Sequence, residues 1–199
     1  MFDDPSFLLY WVPLIIISLT IHEFSHAWVA DYLGDSTPRY SGRLTLNPIP
    51  HIDPIGFLML IIARFGWAKP VPINPHNFSD PKAGTLWVGL AGPISNLMLA
   101  WVLSVIYRYF PFPGGVPNWI IQFILSGIWL NIALAVFNLI PVPPLDGSRI
   151  LAGLLPPEQE HILASLEQYG FIILIFILIF PGTHQIIFGA VNFLYHLLV

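Results

Sequence analysis

The sequence predicts an all-α polytopic membrane protein: a three-helix core, a short β element at the membrane face, a re-entrant segment and a C-terminal helix pair. Three observations carry this. Of 199 residues, 56% are hydrophobic and only 9% charged, where a soluble domain carries roughly 25%. Mean hydropathy is +0.75. Apolar stretches near the 20 or so residues needed to cross a bilayer recur along the chain. The same composition excludes intrinsic disorder. A net charge of −4 with 7 Lys+Arg, in no basic run, excludes nucleic-acid binding through charge. The chain has no cysteine, which removes disulfides, thiolate metal sites and a thiol nucleophile. The length suits one domain over residues 1–199, with a core over 6–150 and C-terminal helices over 161–199.

The elements follow in order. The start, Met1-Phe-Asp-Asp-Pro5, lacks the basic region of a cleaved signal peptide, so the first apolar stretch is expected to be retained. Ser6 to Leu33 reads as one helix, with Pro13 as a kink and polar residues in its second half. In Arg39–Asn47, Leu44 and Leu46 alternate with Arg43 and Thr45, the period-2 pattern of a strand. Ile55–Phe65 is apolar but only 11 residues long, too short to span. Lys69–Pro75 holds too many prolines for a helix. Thr85–Phe110 and Asn118–Ile140 are full spans, and Leu163–Val199 breaks into two helices at Pro181-Gly182.

Positive charges set the expected orientation. Arg39, Arg43, Lys69, Lys82 and Arg149 share one face if Ile55–Phe65 dips in and returns, and only Arg108 lies clearly opposite. The charged face is expected to be cytoplasmic, with Asp3, Asp4 and the N-terminus outside.

The chemistry centres on His22-Glu23-Phe24-Ser25-His26. On a helix, residues four apart stack on one face, so both imidazoles reach one metal ion and Glu23 lies near enough to act on water beside it. A His pair that hydrogen-bonds between helices, or serves a proton relay, is the alternative. A catalytic zinc takes three protein ligands and keeps one position open. Among the few carboxylates, Asp146 stands out in Asn138-Leu-Ile-Pro-Val-Pro-Pro-Leu-Asp-Gly147. Its three prolines loosen the backbone, which is tolerated at membrane depth only when buried or facing a water-filled cavity. The histidines lie near the end of the first helix, and Asp146 closes a span running the same way. One intervening crossing, Thr85–Phe110, brings those ends together, and only if Ile55–Phe65 does not cross.

These residues resemble the site-2 proteases, intramembrane zinc metalloproteases. The resemblance runs from Leu14 to Ile150 and rests on His22–His26 and on Asn138-x-x-Pro141-x-x-x-Leu145-Asp146-Gly147. Gly42–Pro54 and Gly66–Pro72 look like the compact prokaryotic branch, which lacks PDZ and CBS domains, and Gly92-Pro93-x-x-Asn96 resembles the family's middle core helix. Ser148 stands where many members have a second glycine. The resemblance implies His22, His26 and Asp146 as ligands of one zinc per chain, and Glu23 as general base. It also implies hydrolysis of peptide bonds in membrane-embedded proteins, in regulated intramembrane proteolysis. The expected partners are a transmembrane substrate and the lipid bilayer of a prokaryotic cell membrane; no signal specifies an oligomeric state. Asn96, Asn138 and His51 are candidates for contacting the substrate or its oxyanion. The strand at Arg39–Asn47 is expected to offer an edge to the unwound substrate. A membrane transporter or metal-binding channel using the same His and Asp residues is the rival reading. Glu23 at the general-base position, and the lack of paired half-helices, favour hydrolysis.

Overall fold

The computed structural model of the chain describes residues 6–63, 66–110, 117–156, 159 and 165–199. Asp3, Asp4, Arg64 and His161 lie outside the described residues. The helices are α1 Ser6–Tyr32, α2 Thr37–Tyr40, α3 Pro54–Ala63, α4 Pro81–Tyr109, α5 Asn118–Asn138, α6 Asp146–Leu154, α7 Gly170–Ile179 and α8 Pro181–Leu198. Three of them, Tyr10–Tyr32 of α1 together with α4 and α5, are long and apolar enough to cross a membrane.

The packing of α4 is that of a membrane helix. Its buried face carries Gly84, Val88, Gly92, Asn96, Ala100 and Ser104 at a strict four-residue interval. Its exposed face carries Trp87, Ile94, Met98 and Trp101. Large apolar groups outside and small or polar ones inside is the arrangement lipid favours, because close backbone approach replaces the hydrophobic drive. Ala100 joins Ile124, Ile128 and Ile132 of α5 and Val191 of α8 in the main core.

Pairings fix the directions. His22 and His26 of α1 meet Asn96 and Val88 of α4 in reverse order, so these helices are antiparallel. Trp11 packs edge-on against Trp129, 6.1 Å between centroids, and Asp146 after α5 reaches His22 and His26, so α1 and α5 run together. The ends of α1 and α5 and the start of α4 therefore lie at one end of the bundle.

The excursion between α1 and α4 leaves and returns at that end. Gly34, at φ +108°, ends α1 in the left-handed conformation that glycine adopts without a Cβ penalty. Asp35, fully buried, then clasps both ends of the excursion. Its carboxylate accepts from Thr37 N–H (3.1 Å), Thr37 Oγ1 (2.5 Å), Asn77 Nδ2 (2.7 Å) and Asn74 N–H (2.7 Å). Within it, α3 has 10 residues, about 15 Å of helix, half a crossing. Asp53 caps α3 through Gly56 N–H at 2.8 Å. Ile52 and Ala68, on either side of α3, form an isolated antiparallel bridge.

The expected strand at Arg39–Asn47 does not form, and among the described residues there is no sheet. Arg39 and Tyr40 complete α2, and Arg43 N–H bonds back to Pro38 O (2.8 Å) across Gly42, whose φ is +69°. Thr45 N–H is spent on Arg43 O and Asn47 N–H on Thr45 Oγ1. The alternation also misleads about Arg43. Its guanidinium is buried, donating to Pro50 O and Lys69 O. Turns consume the donors a strand edge would present. Lys69–Asn74 is irregular, as its prolines dictate.

Two boundaries shift. Asp80 accepts from Lys82 and Ala83 N–H, and Pro81 occupies the first turn, so α4 begins four residues before the apolar run. Helix α6 goes beyond the apolar pattern altogether. It packs on α4 at Gly89, where a Cβ would lie 3.1 Å from Arg149 Cβ and 3.2 Å from Asp146 O. The C-terminal pair forms as expected, with Phe180-Pro181 at the break.

Burial would raise the Asp35 pKa, yet the four donors hold it below its ordinary 3.8. Its contribution to stability is therefore complete above pH 3.8 and lost as pH falls through the lower folded-state value. Asp35→Asn turns an NH2 toward one of these donors. It should cost about 2–3 kcal/mol, read as a lower thermal midpoint in detergent at pH 7. The gap from wild type should close as the wild-type carboxylate protonates; a gap unchanged at pH 2 would contradict this.

Candidate metal centre

Helical spacing puts His22 and His26 on the same face of α1, with ring centroids 4.6 Å apart. Asp146 starts α6, after a turn in which the Pro143-Pro144 peptide is cis. The three residues are buried together. His22 Nε2 lies 3.0 Å from Asp146 Oδ2, His26 Nε2 lies 3.3 Å from Asp146 Oδ1, and the two Nε2 atoms are 3.0 Å apart.

Protons decide what this cluster can be. His26 Nδ1 is 2.7 Å from Val88 O, and His22 Nδ1 is 2.7 Å from Asn96 Oδ1. Both partners are acceptors, so each Nδ1 carries the hydrogen and, in the neutral ring, each Nε2 is a bare lone pair. Asp146 Oδ2 is likewise buried without a hydrogen-bond donor. With both rings neutral, two lone pairs and a carboxylate converge and call for a positive charge between them, which a proton or a metal ion can supply. A tetrahedral ion with bonds of about 2.0–2.1 Å spaces its ligands about 3.3 Å apart, close to the separations found. The residues fit a divalent metal.

Gly92 makes the room. A Cβ there would lie 2.4 Å from His22 Cε1 and 2.5 Å from each Nε2. Gly147 serves the opposite side, where a Cβ would lie 2.4 Å from Ile140 O and Leu139 O. It lets the chain double back so that Asp146 faces α1.

Glu23, half-buried, lies one residue further around α1, and its Oε2 accepts from Val71 N–H at 3.2 Å. Pro70 and Pro72 have no N–H, so Val71 is the donor of that tripeptide. The metal cluster and Glu23 share a cavity of about 580 Å³ whose wall includes Trp67, Leu134, Phe137, Asn138 and Leu174.

The other candidates divide. Asn138 lines the cavity, with Nδ2 donating to Leu134 O at 3.0 Å. Asn96 is fully buried behind His22, away from the cavity wall, and its amide is engaged there. His51 is buried in the loop, donating from Nε2 to Thr45 O at 2.9 Å. Val88, Val71 and Asn131 were not singled out from the sequence, and Gly92 entered only through the Gly92-Pro93-x-x-Asn96 resemblance. The four-residue spacing of Gly84, Gly92, Asn96 and Ala100 along α4 is the signal that marks the face on which Val88 lies.

The fold and this centre define a polytopic membrane protein with a buried His/His/Asp cluster able to hold a metal ion. Residues 116–181, which carry Asp146, match Peptidase family M50. The "Putative zinc metalloprotease YwhC" of Bacillus subtilis is 39% identical over 192 residues, covering 94% of this chain and 88% of that protein. The "Putative zinc metalloprotease Rip2" of Mycolicibacterium smegmatis is 36% identical, covering 88% of this chain and 69% of its own length. That of Mycobacterium tuberculosis is 33% identical, with 92% and 71% covered. No solved structure matches at a significant level. The chain belongs to Peptidase family M50, the site-2 protease family.

Gly92→Ala should displace one or both imidazoles. Bound divalent metal, measured by elemental analysis of detergent-purified protein, should fall about tenfold or more with helical content unchanged. Full metal occupancy in that variant would mean that α1 and α4 part without disturbing the ligands.

Proposed function

We propose that the protein is an intramembrane zinc metalloprotease that hydrolyses peptide bonds of membrane-embedded proteins. The observation that carries the reading is the convergence of two bare Nε2 atoms and a donor-less Asp146 oxygen beside Glu23 in an apolar-walled cavity. His22, His26 and Asp146 hold one zinc per chain. When bound, zinc supplies Lewis acidity, acidifying water and polarising a carbonyl. Glu23 is the general base: it takes the proton from the attacking water and delivers it to the leaving nitrogen as the C–N bond breaks. Asn138 donates its second amide proton to the developing oxyanion. Trp67, Leu134, Phe137 and Leu174 receive apolar substrate side chains around the scissile bond.

The whole chain acts as one domain, with the bundle end that carries Arg39, Lys69, Lys82 and Arg149 facing the cytoplasm. The exposed apolar residues Ile55, Leu58 and Ile62 of α3 enter the bilayer from that side, and the segment returns at Ala68. A transporter or channel built on the same cluster would not need Glu23 as a base.

The test uses purified protein in detergent with a single-span apolar polypeptide tagged at both ends. Glu23→Gln should retain one zinc per chain and lose cleavage by at least about 100-fold. Asp146→Ala should lose zinc and cleavage together. Cleavage by Glu23→Gln at the wild-type rate would refute the general-base assignment; zinc undiminished in Asp146→Ala would remove that ligand.

A further inference from the structure

Behind His22 runs a chain of buried side-chain amides that the chemistry above leaves unused. Asn131, in the middle of α5, donates from Nδ2 to Gly127 O at 2.8 Å. Its Oδ1 accepts from Asn96 Nδ2 at 2.8 Å. Asn96 Oδ1 in turn faces His22 Nδ1 at 2.7 Å. Asn96 is 0% and Asn131 1% exposed, so water cannot substitute for any link.

The chain has one direction, set at its far end. A backbone carbonyl only accepts, so Gly127 O requires the NH2 of Asn131. That turns Asn131 Oδ1 toward Asn96, which must answer with its own NH2. Asn96 therefore presents oxygen to His22, and His22 Nδ1 must carry the hydrogen. The opposite nitrogen, Nε2, is then bare where it meets Asp146 and His26. Reversing any amide would place two donors or two acceptors face to face inside the bundle, at about 1–3 kcal/mol for each stranded group. Asn96 Nδ2 has a second, longer contact to Ser18 O at 3.4 Å, of the same polarity but weak. His26 needs no such chain, because Val88 O addresses it directly.

We propose that Asn131 is a positioning residue for the metal centre: acting through Asn96, it locks His22 in the tautomer whose Nε2 can bind metal. The effect on zinc rests on the metalloprotease reading; the effect on the tautomer does not. A carboxylate in place of Asn96 would not need the relay, since both its oxygens accept. The substitution Asn131→Asp, by contrast, preserves the relay: it keeps an acceptor toward Asn96 and, when protonated, a donor toward Gly127 O.

Two readouts test this on the full chain in detergent. The first is the ¹⁵N NMR signature of His22 in metal-free, histidine-labelled protein, assigned by difference from His22→Asn. Wild type and Asn131→Asp should show a protonated Nδ1 and bare Nε2, whereas Asn131→Leu should gain the reverse tautomer. The second is zinc affinity by chelator competition. Asn131→Leu should weaken zinc about tenfold, Asn131→Asp should stay within about twofold, and adding Asn96→Asp to Asn131→Leu should restore most of the loss. An unchanged tautomer in Asn131→Leu would overturn the proposal. So would a zinc loss that Asn96→Asp fails to rescue, because Asn131 would then act through packing alone. If wild type bound no zinc, the metalloprotease reading would fail while the NMR comparison still decided the relay.

Discussion

The metal centre depends on how closely α4 can lie against α1. Two imidazoles stacked on one helix occupy a wide patch, and their inner nitrogens must still find acceptors. Helix α4 meets both needs with one stripe. Gly92 supplies the missing volume, Val88 turns its carbonyl to His26, and Asn96 reaches His22. In lipid, where apolar burial contributes little to helix association, contacts of this kind hold the helices together. The packing that stabilises the bundle is thus the packing that orients the two candidate ligands.

Much of this was legible in the sequence because the strongest signals are local. His22 and His26 are four residues apart, and helical geometry does the rest. Asp146 could be placed by counting crossings, since the ends of α1 and α5 meet only with a single span between them. The failures have a physical pattern too. The alternation at Arg39–Asn47 suggested a strand, but period-2 patterning assumes that polar side chains face solvent, and the Arg43 guanidinium is buried against loop carbonyls. Helix α6 was missed because it opens with Asp146-Gly147-Ser148-Arg149 and lies beyond the apolar pattern that marks a span. Asn96, a candidate either for the substrate or for a hydrogen bond between helices, lies behind His22 and bonds across to α5, a distinction that depends on helix rotation.

The loop before α4 joins the centre by a different route. Val71 N–H meets Glu23, and Arg43 holds the same loop at Lys69 O while contributing a buried positive charge whose field reaches Glu23. The carboxylate is thereby oriented by a segment outside the three long helices. Ligand geometry belongs to the bundle, and the setting of Glu23 belongs to the loop.

The clasp at Asp35 gives that division a modular character. With the start and finish of the excursion tied together by a single carboxylate, the entropy of closing the loop is largely offset at its base, whatever the chain does farther out. The stretch between Thr37 and Asn74 is then a cassette on a fixed socket. Provided Val71 keeps its bond to Glu23 and Arg43 its hold on Lys69 O, the rest of its length and sequence can diverge, or be exchanged by an engineer, with little strain transmitted to α1 or α4. A protease lineage could in this way retune what it admits to the cavity while inheriting its metal chemistry intact.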